Sequence, residues 1–141
     1  MSQKINFFNE DIQFTLKNKI QIRKWIRKSI ENEGFKLGEL NFIFCSDGYL
    51  LQINQEYLKH DTYTDIITFD NSELSEIISG DIFISIDRII ENAEKFQINF
   101  DNELHRVMIH GVLHLMGYPD KKREEKVIMT SKEDYYLTQR L

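Results

Sequence analysis

The sequence predicts an α+β fold, a small mixed β-sheet covered by helices. Three observations predict it. First, the short runs "INFFN", "ELNFIFC", "DIITF" and "GDIFISI" have the length and the β-branched or aromatic content of strands. Second, between and beyond them apolar residues recur at three-to-four spacing, as on the buried face of a helix. Third, no internal repeat or linker divides the chain, so the helices read as covering one small mixed sheet.

The elements follow in chain order. "INFFN" and "IQFTL" read as two short strands. From about Asn18 to Glu33, Ile22, Trp25, Ile26 and Ile30 fall at helical spacing, and Gly34 stands where a helix C-cap belongs. "ELNFIFC" is the next strand. Ser46 or Asp47 then caps a helix through "YLLQINQEYLK". After the polar loop "HDTYT" come "DIITF" and "GDIFISI". Their polar connection is short enough to make them antiparallel neighbours. Asp87 is read as the cap of a helix through about Phe96. A further helix runs from about Asp101 to Met116. The charged segment from Lys121 keeps Val127, Ile128, Met129, Tyr135 and Leu137, and reads as a surface helix packed by one face.

At 141 residues, with no repeat or linker, residues 1–141 are expected to form one domain. Apolar residues make up 41% and charged residues 29%, ordinary for a globular chain. Neither a signal peptide nor a membrane span is expected from "MSQKINFFNEDIQ" or any later stretch. The one cysteine, Cys45, lies in an apolar run and reads as a small buried thiol suited to a reducing cytoplasm. The net charge of -5 argues against indiscriminate nucleic-acid binding. Its distribution is uneven, because residues 12–30 contain no acid and hold Lys17, Lys19, Arg23, Lys24, Arg27 and Lys28. This stripe is either a solvated helix face or a contact for phosphates.

One motif carries chemistry. Residues 110–120 read "HGVLHLMGYPD". His110 and His114 stand at i and i+4, so their side chains are neighbours on one helix face. Two such imidazoles can reach one zinc ion at about 2.0–2.1 Å each. Gly117 can end the helix in a left-handed conformation, and Pro119 prevents its continuation. The turn can bring Asp120 to the same ion as an oxygen ligand, placing a metal site at the end of a buried helix. Three protein ligands leave a fourth position for water, the arrangement of a catalytic site. The competing reading is that both histidines are satisfied inside a helix that Leu104, Val107, Met108, Val112, Leu113, Leu115 and Met116 make apolar nearly all round. Gly111 costs about 1 kcal/mol against Ala inside a helix, which points to close approach of a substrate or another backbone there. Gly111 also stands where a zinc protease has its glutamate base, so protease-type catalysis has no carrier. His105 lies about 140° around the helix from His110, off the ligand face, and reads as core in preference to a support for the ligands. His60 is in a loop.

With these residues in view, the chain resembles the YbeY family of metal-dependent endoribonucleases. His110, Gly111, Leu113, His114, Leu115, Gly117 and Tyr118 match its signature H-G-x-L-H-L-x-G-Y-D-H. "INQEYLKHDTYTDIITF" and "SGDIFIS" resemble two further family segments, in the same order, so the resemblance spans roughly residues 37–120. It implies an α+β fold and one metal ion, usually assigned as zinc, held by His110, His114 and Asp120. It further implies single-stranded RNA as substrate, and a cytoplasmic role in ribosomal RNA maturation at the small-subunit 3′ end and in ribosome quality control. Two residues depart from the pattern. Asp120 stands where the third ligand is commonly histidine. Leu58 stands where the family often has an arginine facing the substrate, and the adjacent Lys59 and His60 are candidates to compensate.

The chemistry implied is metal-assisted phosphodiester cleavage. The nucleophile is either metal-bound water or the RNA 2′-hydroxyl, and no catalytic side chain beyond the ligands is identified. Arg23–Lys28 and Lys121–Arg123 are candidate phosphate contacts, although Glu124 and Glu125 could instead pair with the second group. Two alternatives remain: a zinc hydrolase of another ester or amide, and a ribosome-associated binding factor whose metal is mainly structural.

Overall fold

The computed structural model describes residues 4–59 and 64–140. Its elements run β1 (Lys4–Asn9), α1 (Lys19–Asn32), β2 (Lys36–Cys45), α2 (Asp47–Tyr57), β3 (Ile66–Asp70), β4 (Ile77–Ser85), α3 (Ile86–Lys95), α4 (Phe100–Leu115) and α5 (Arg123–Leu137). The strands form one sheet in the order β1-β2-β4-β3. β1 with β2 and β2 with β4 pair in parallel, and β3 runs antiparallel to β4 with Ile66 opposite Ile84. The expected α+β single domain with a mixed sheet is the fold found.

Strand alternation assigns the two faces of the sheet. Leu40, Phe42 and Phe44 of β2 and Ile78, Ile82 and Ile84 of β4 enter the main core with α1 and α4. Cys45 and Ile67 face the other way and meet Leu50 and Ile53 of α2. Burial first, then the negative charges of Asp11 and Glu10, push the Cys45 thiol up to about 12, so it is an inert core group as expected.

Helix boundaries follow local chemistry. Gly34, at φ +89°, lets the Phe35 N–H reach back to the Ile30 carbonyl and close α1. The Ser46 hydroxyl accepts from the Tyr49 N–H and caps α2. Asp87 does not cap α3. The Ser85 hydroxyl does, accepting from the Arg88 N–H, while the Asp87 carboxylate accepts from the Asp47 N–H across at α2.

"IQFTL" is not a strand. Its alternation is real, since Leu16 is buried and Phe14 packs on Phe44 and Phe100. The segment drapes over one end of the core and joins no ladder, because alternation reports which side is buried and not what the backbone pairs with. α5 also differs from its expected face. Val127, Ile128 and Tyr135 are exposed, and the inward face is Met129, Glu133 and Tyr136. Among the described residues no helix is long and apolar enough to cross a membrane.

Candidate metal centre

α4 is the buried axis of the molecule. The Asn99 side chain caps it, accepting from the Asn102 N–H, and Leu104, Val107, Met108, Ile109, Val112 and Leu113 bury it. Gly111 sits where α4 lies against the sheet. A Cβ there would stand 2.8 Å from Cδ1 of Ile66 and 3.0 Å from Cγ2 of Ile82. The close approach anticipated at Gly111 is therefore to sheet side chains and not to a substrate or a backbone. The glycine lets the helix settle onto β3 and β4 and fixes the depth of both histidines.

α4 ends as its sequence demands. Gly117 takes φ +99°, its N–H bonds to the His114 carbonyl, and the Tyr118 N–H reaches Leu113. The chain then reverses, and Asp120 returns to the histidine face. Oδ2 of Asp120 stands 3.2 Å from Nε2 of His110 and 3.2 Å from Nε2 of His114. All three side chains are partly buried, and their ligand atoms lie within 4.8 Å of one another. The imidazole rings meet nearly edge to face, at 87° and 4.5 Å between centroids.

This donor set fits a divalent ion. Ligands about 2.0–2.2 Å from a tetrahedral zinc are separated by about 3.3–3.5 Å, close to the 3.2 Å found twice here. Nδ1 of His110 lies 2.6 Å from Oε2 of Glu133. A neutral imidazole that donates there turns an unprotonated Nε2 toward Asp120. Two lone pairs then face each other at 3.2 Å, an arrangement that calls for a proton or a cation between them.

The surroundings are acidic. Burial alone would lower the His110 pKa. The hydrogen bond to Glu133 and the charges of Glu133, Asp120 and Asp65 outweigh burial and raise it. Burial, chiefly, pushes the Asp65 and Glu103 carboxyls up. Glu133 is answered by Arg106, whose Nη1 lies 2.8 Å from Oε1 of Glu133 while Nη2 reaches Oδ1 of Asp134 at 2.5 Å. Next to the turn, the Tyr118 hydroxyl donates to Glu33 at the end of α1, and Tyr136 and Lys132 of α5 donate to the same carboxylate. This hub ties α1, α5 and the 117–120 turn together.

Other residues singled out in the sequence fall elsewhere. Nδ1 of His105 lies 2.9 Å from Arg140, and its ring packs on Trp25, beside a cleft of about 510 Å³ between α1 and the start of α4. It shares nothing with the triad. Arg23 is committed to the fold, donating to the Ile5 carbonyl and lying over the Phe7 ring. Lys24 and Lys28 are exposed. Lys121, Lys122 and Arg123 follow Asp120 on the surface, where Glu125 accepts from the Lys121 and Lys122 backbone N–H groups. Leu58 caps the end of α2, exposed, and Lys59 follows at positive φ; His60 lies outside the described residues. Glu133, Arg106 and Glu33 were missed in the sequence. The available signal for Glu133 was its place between Met129 and Tyr136 on one α5 face.

Comparisons with known proteins identify the family of the chain. Residues 4–140 match the family model described as endoribonuclease YbeY. The chain is 53% identical over 136 residues to endoribonuclease YbeY of Cytophaga hutchinsonii, covering 96% of this chain and 95% of that one. It is 52% identical over 130 residues to that of Christiangramia forsetii, covering 92% and 90%. A solution structure of a Thermotoga maritima protein superposes with a TM-score of 0.68 at 26% identity, over 97% of this chain and 89% of that one. With residues 4–140 matched and about half of the aligned positions identical to the Cytophaga hutchinsonii and Christiangramia forsetii proteins, the chain belongs to the endoribonuclease YbeY family.

Proposed function

We propose that this protein is a metal-dependent endoribonuclease that cuts single-stranded RNA in ribosomal RNA maturation, and that His110, His114 and Asp120 hold its ion. The observation that carries the reading is the convergence of two Nε2 atoms on one carboxylate oxygen at 3.2 Å each. Family membership supplies the reaction class. Two neutral nitrogens and one oxygen suit zinc. When bound, such an ion supplies Lewis acidity toward a phosphoryl oxygen.

The chain's own residues supply position and charge. α4 fixes the two imidazoles at i and i+4, and the Gly117 turn delivers Asp120. In this reading the exposed Lys121, Lys122 and Arg123 directly after Asp120, and the exposed Lys24 and Lys28 on α1, are the candidate phosphate contacts. The physiological substrate in this reading is the precursor 3′ end of small-subunit rRNA, in the cytoplasm, with the small ribosomal subunit as partner and ribosome quality control as a further role.

The test is cleavage of a single-stranded RNA carrying a precursor rRNA 3′ end, by wild type and His114→Ala purified in parallel. Cleavage by the wild type alone supports the nuclease. Equal behaviour of two folded proteins overturns it in favour of a ribosome-associated binding factor with a structural metal.

A further inference from the structure

We propose that Glu133, clamped by Arg106, is the positioning residue of the metal centre: it accepts the Nδ1 proton of His110 and so commits Nε2 of that ring to the ion. The inference rests on the metal-centre reading above and adds a residue from outside the 110–120 motif.

The geometry is specific. The Glu133 side chain is nearly buried, and both of its oxygens are engaged. Oε2 lies 2.6 Å from Nδ1 of His110, and Oε1 lies 2.8 Å from Nη1 of Arg106. Glu133 therefore faces the side of the imidazole opposite Asp120, where it cannot meet a substrate bound at the ion. That position excludes a catalytic base and defines an orienting partner. Carboxylates in this relation to a liganding histidine fix its tautomer and make it a better donor.

The clamp has a mechanical basis. Arg106 lies one helical turn before His110 on α4, and Glu133 and Asp134 lie on α5. The guanidinium engages both acids, at 2.8 Å and 2.5 Å, so the two helices are held in register at the level of His110. A free Glu would sample several rotamers; this one is held between two fixed donors.

Both donors require an acceptor, which makes Glu133→Gln informative. An amide offers one acceptor oxygen and one donating nitrogen. Arg106 always donates, so the oxygen stays with it and the NH2 turns to His110. Nδ1 must then accept, and the proton moves to Nε2, the ligand atom.

The experiment compares wild type, Glu133→Gln and the control Glu94→Gln, each checked for folding by near-UV circular dichroism. Zinc affinity is measured by competition with a chelator. Zinc-loaded protein labelled with ¹⁵N-histidine is examined by NMR for the His110 Nδ1–H signal. The expected result is a 10- to 100-fold loss of zinc affinity in Glu133→Gln, with loss of that signal. Glu94→Gln, at an exposed acid of α3 outside the clamp, should retain both. Should Glu133→Gln not fold, Arg106→Lys takes its place. It keeps a cation but loses the fork, and should show a weaker Nδ1–H signal with reduced affinity. Equal zinc affinity in wild type and the folded variant overturns the proposal alone. Failure of the wild type to bind zinc overturns the metal-centre reading, and this proposal with it.

Discussion

Nε2 of His114 and Oδ2 of Asp120 stand 3.2 Å apart although a helix end, a glycine and a proline separate them in sequence. The turn after α4 is thus as much a part of the centre as the helix. His114 is partly exposed and contributes little to the core. His114→Ala is therefore expected to lower RNA cleavage by at least about 100-fold, more than loss of an orienting partner costs. It should leave the thermal midpoint of the metal-free protein within a few degrees. Full activity in the folded variant would remove His114 from the ligand set.

Asp120 brings a negative charge where the resembling pattern has histidine. A ligand set with one more negative charge leaves the bound ion less acidic toward what it contacts. Asp120→His should therefore shift the rise of the pH–rate profile toward lower pH. Superimposable profiles for the two proteins would refute this.

The exposed lysines of α1 have no acidic residue near them in sequence until Glu31. If Lys24 and Lys28 each meet one phosphate, Lys24→Ala with Lys28→Ala should reduce the salt dependence of single-stranded RNA binding by about 1.4 in log–log slope. The loss of affinity should be uniform across sequences. An unchanged slope would make this face solvated surface only. Arg23→Ala, by contrast, should act on stability, because Arg23 holds Ile5 and Phe7.

Glu33 makes stability sensitive to acid. Burial opposes its ionised form, but hydrogen bonds from Tyr118, Tyr136 and Lys132 prevail and lower its pKa below 4.5. A carboxylate with a depressed folded pKa stabilises above its unfolded pKa, and the contribution is lost as pH falls through the folded value. Wild type should therefore lose stability below about pH 4.5 more steeply than Glu33→Gln, as read from urea midpoints between pH 3 and 7. Parallel curves for the two proteins would show that the hub contributes nothing through charge.

Gly80 of β4 faces α4. A Cβ there would lie 2.5 Å from the Phe69 carbonyl oxygen and 3.0 Å from Cδ1 of Leu115, next to His114. The backbone oxygen cannot yield as a side-chain tip can, so Gly80→Ala is expected to cost about 1–3 kcal/mol. Urea unfolding measures it. A variant as stable as wild type would mean that β3 shifts freely against β4.

Much of this protein is legible from its residues in order. Strand composition, helical spacing and the caps Ser46 and Gly34 are local properties, so the elements and the fold class follow from them. His110 and His114 are likewise local, because four residues on a helix always share a face. Even Asp120 is within reach, since Gly117 and Pro119 force the turn. Tertiary packing decided the rest. The alternation of residues 12–16 defined a buried side, but β1 did not pair with them. Gly111 announced a close approach, and only the packing of α4 on the sheet identified Ile66 and Ile82 as its neighbours. Glu133 reaches His110 from 23 positions away, and Glu33 reaches Tyr136 from 103. Such pairings depend on how helices lie against one another, and no local periodicity encodes that. The sequence by itself therefore determined the ligand candidates, whereas the orientation of His110 by Glu133 was decided only when α4 and α5 packed together.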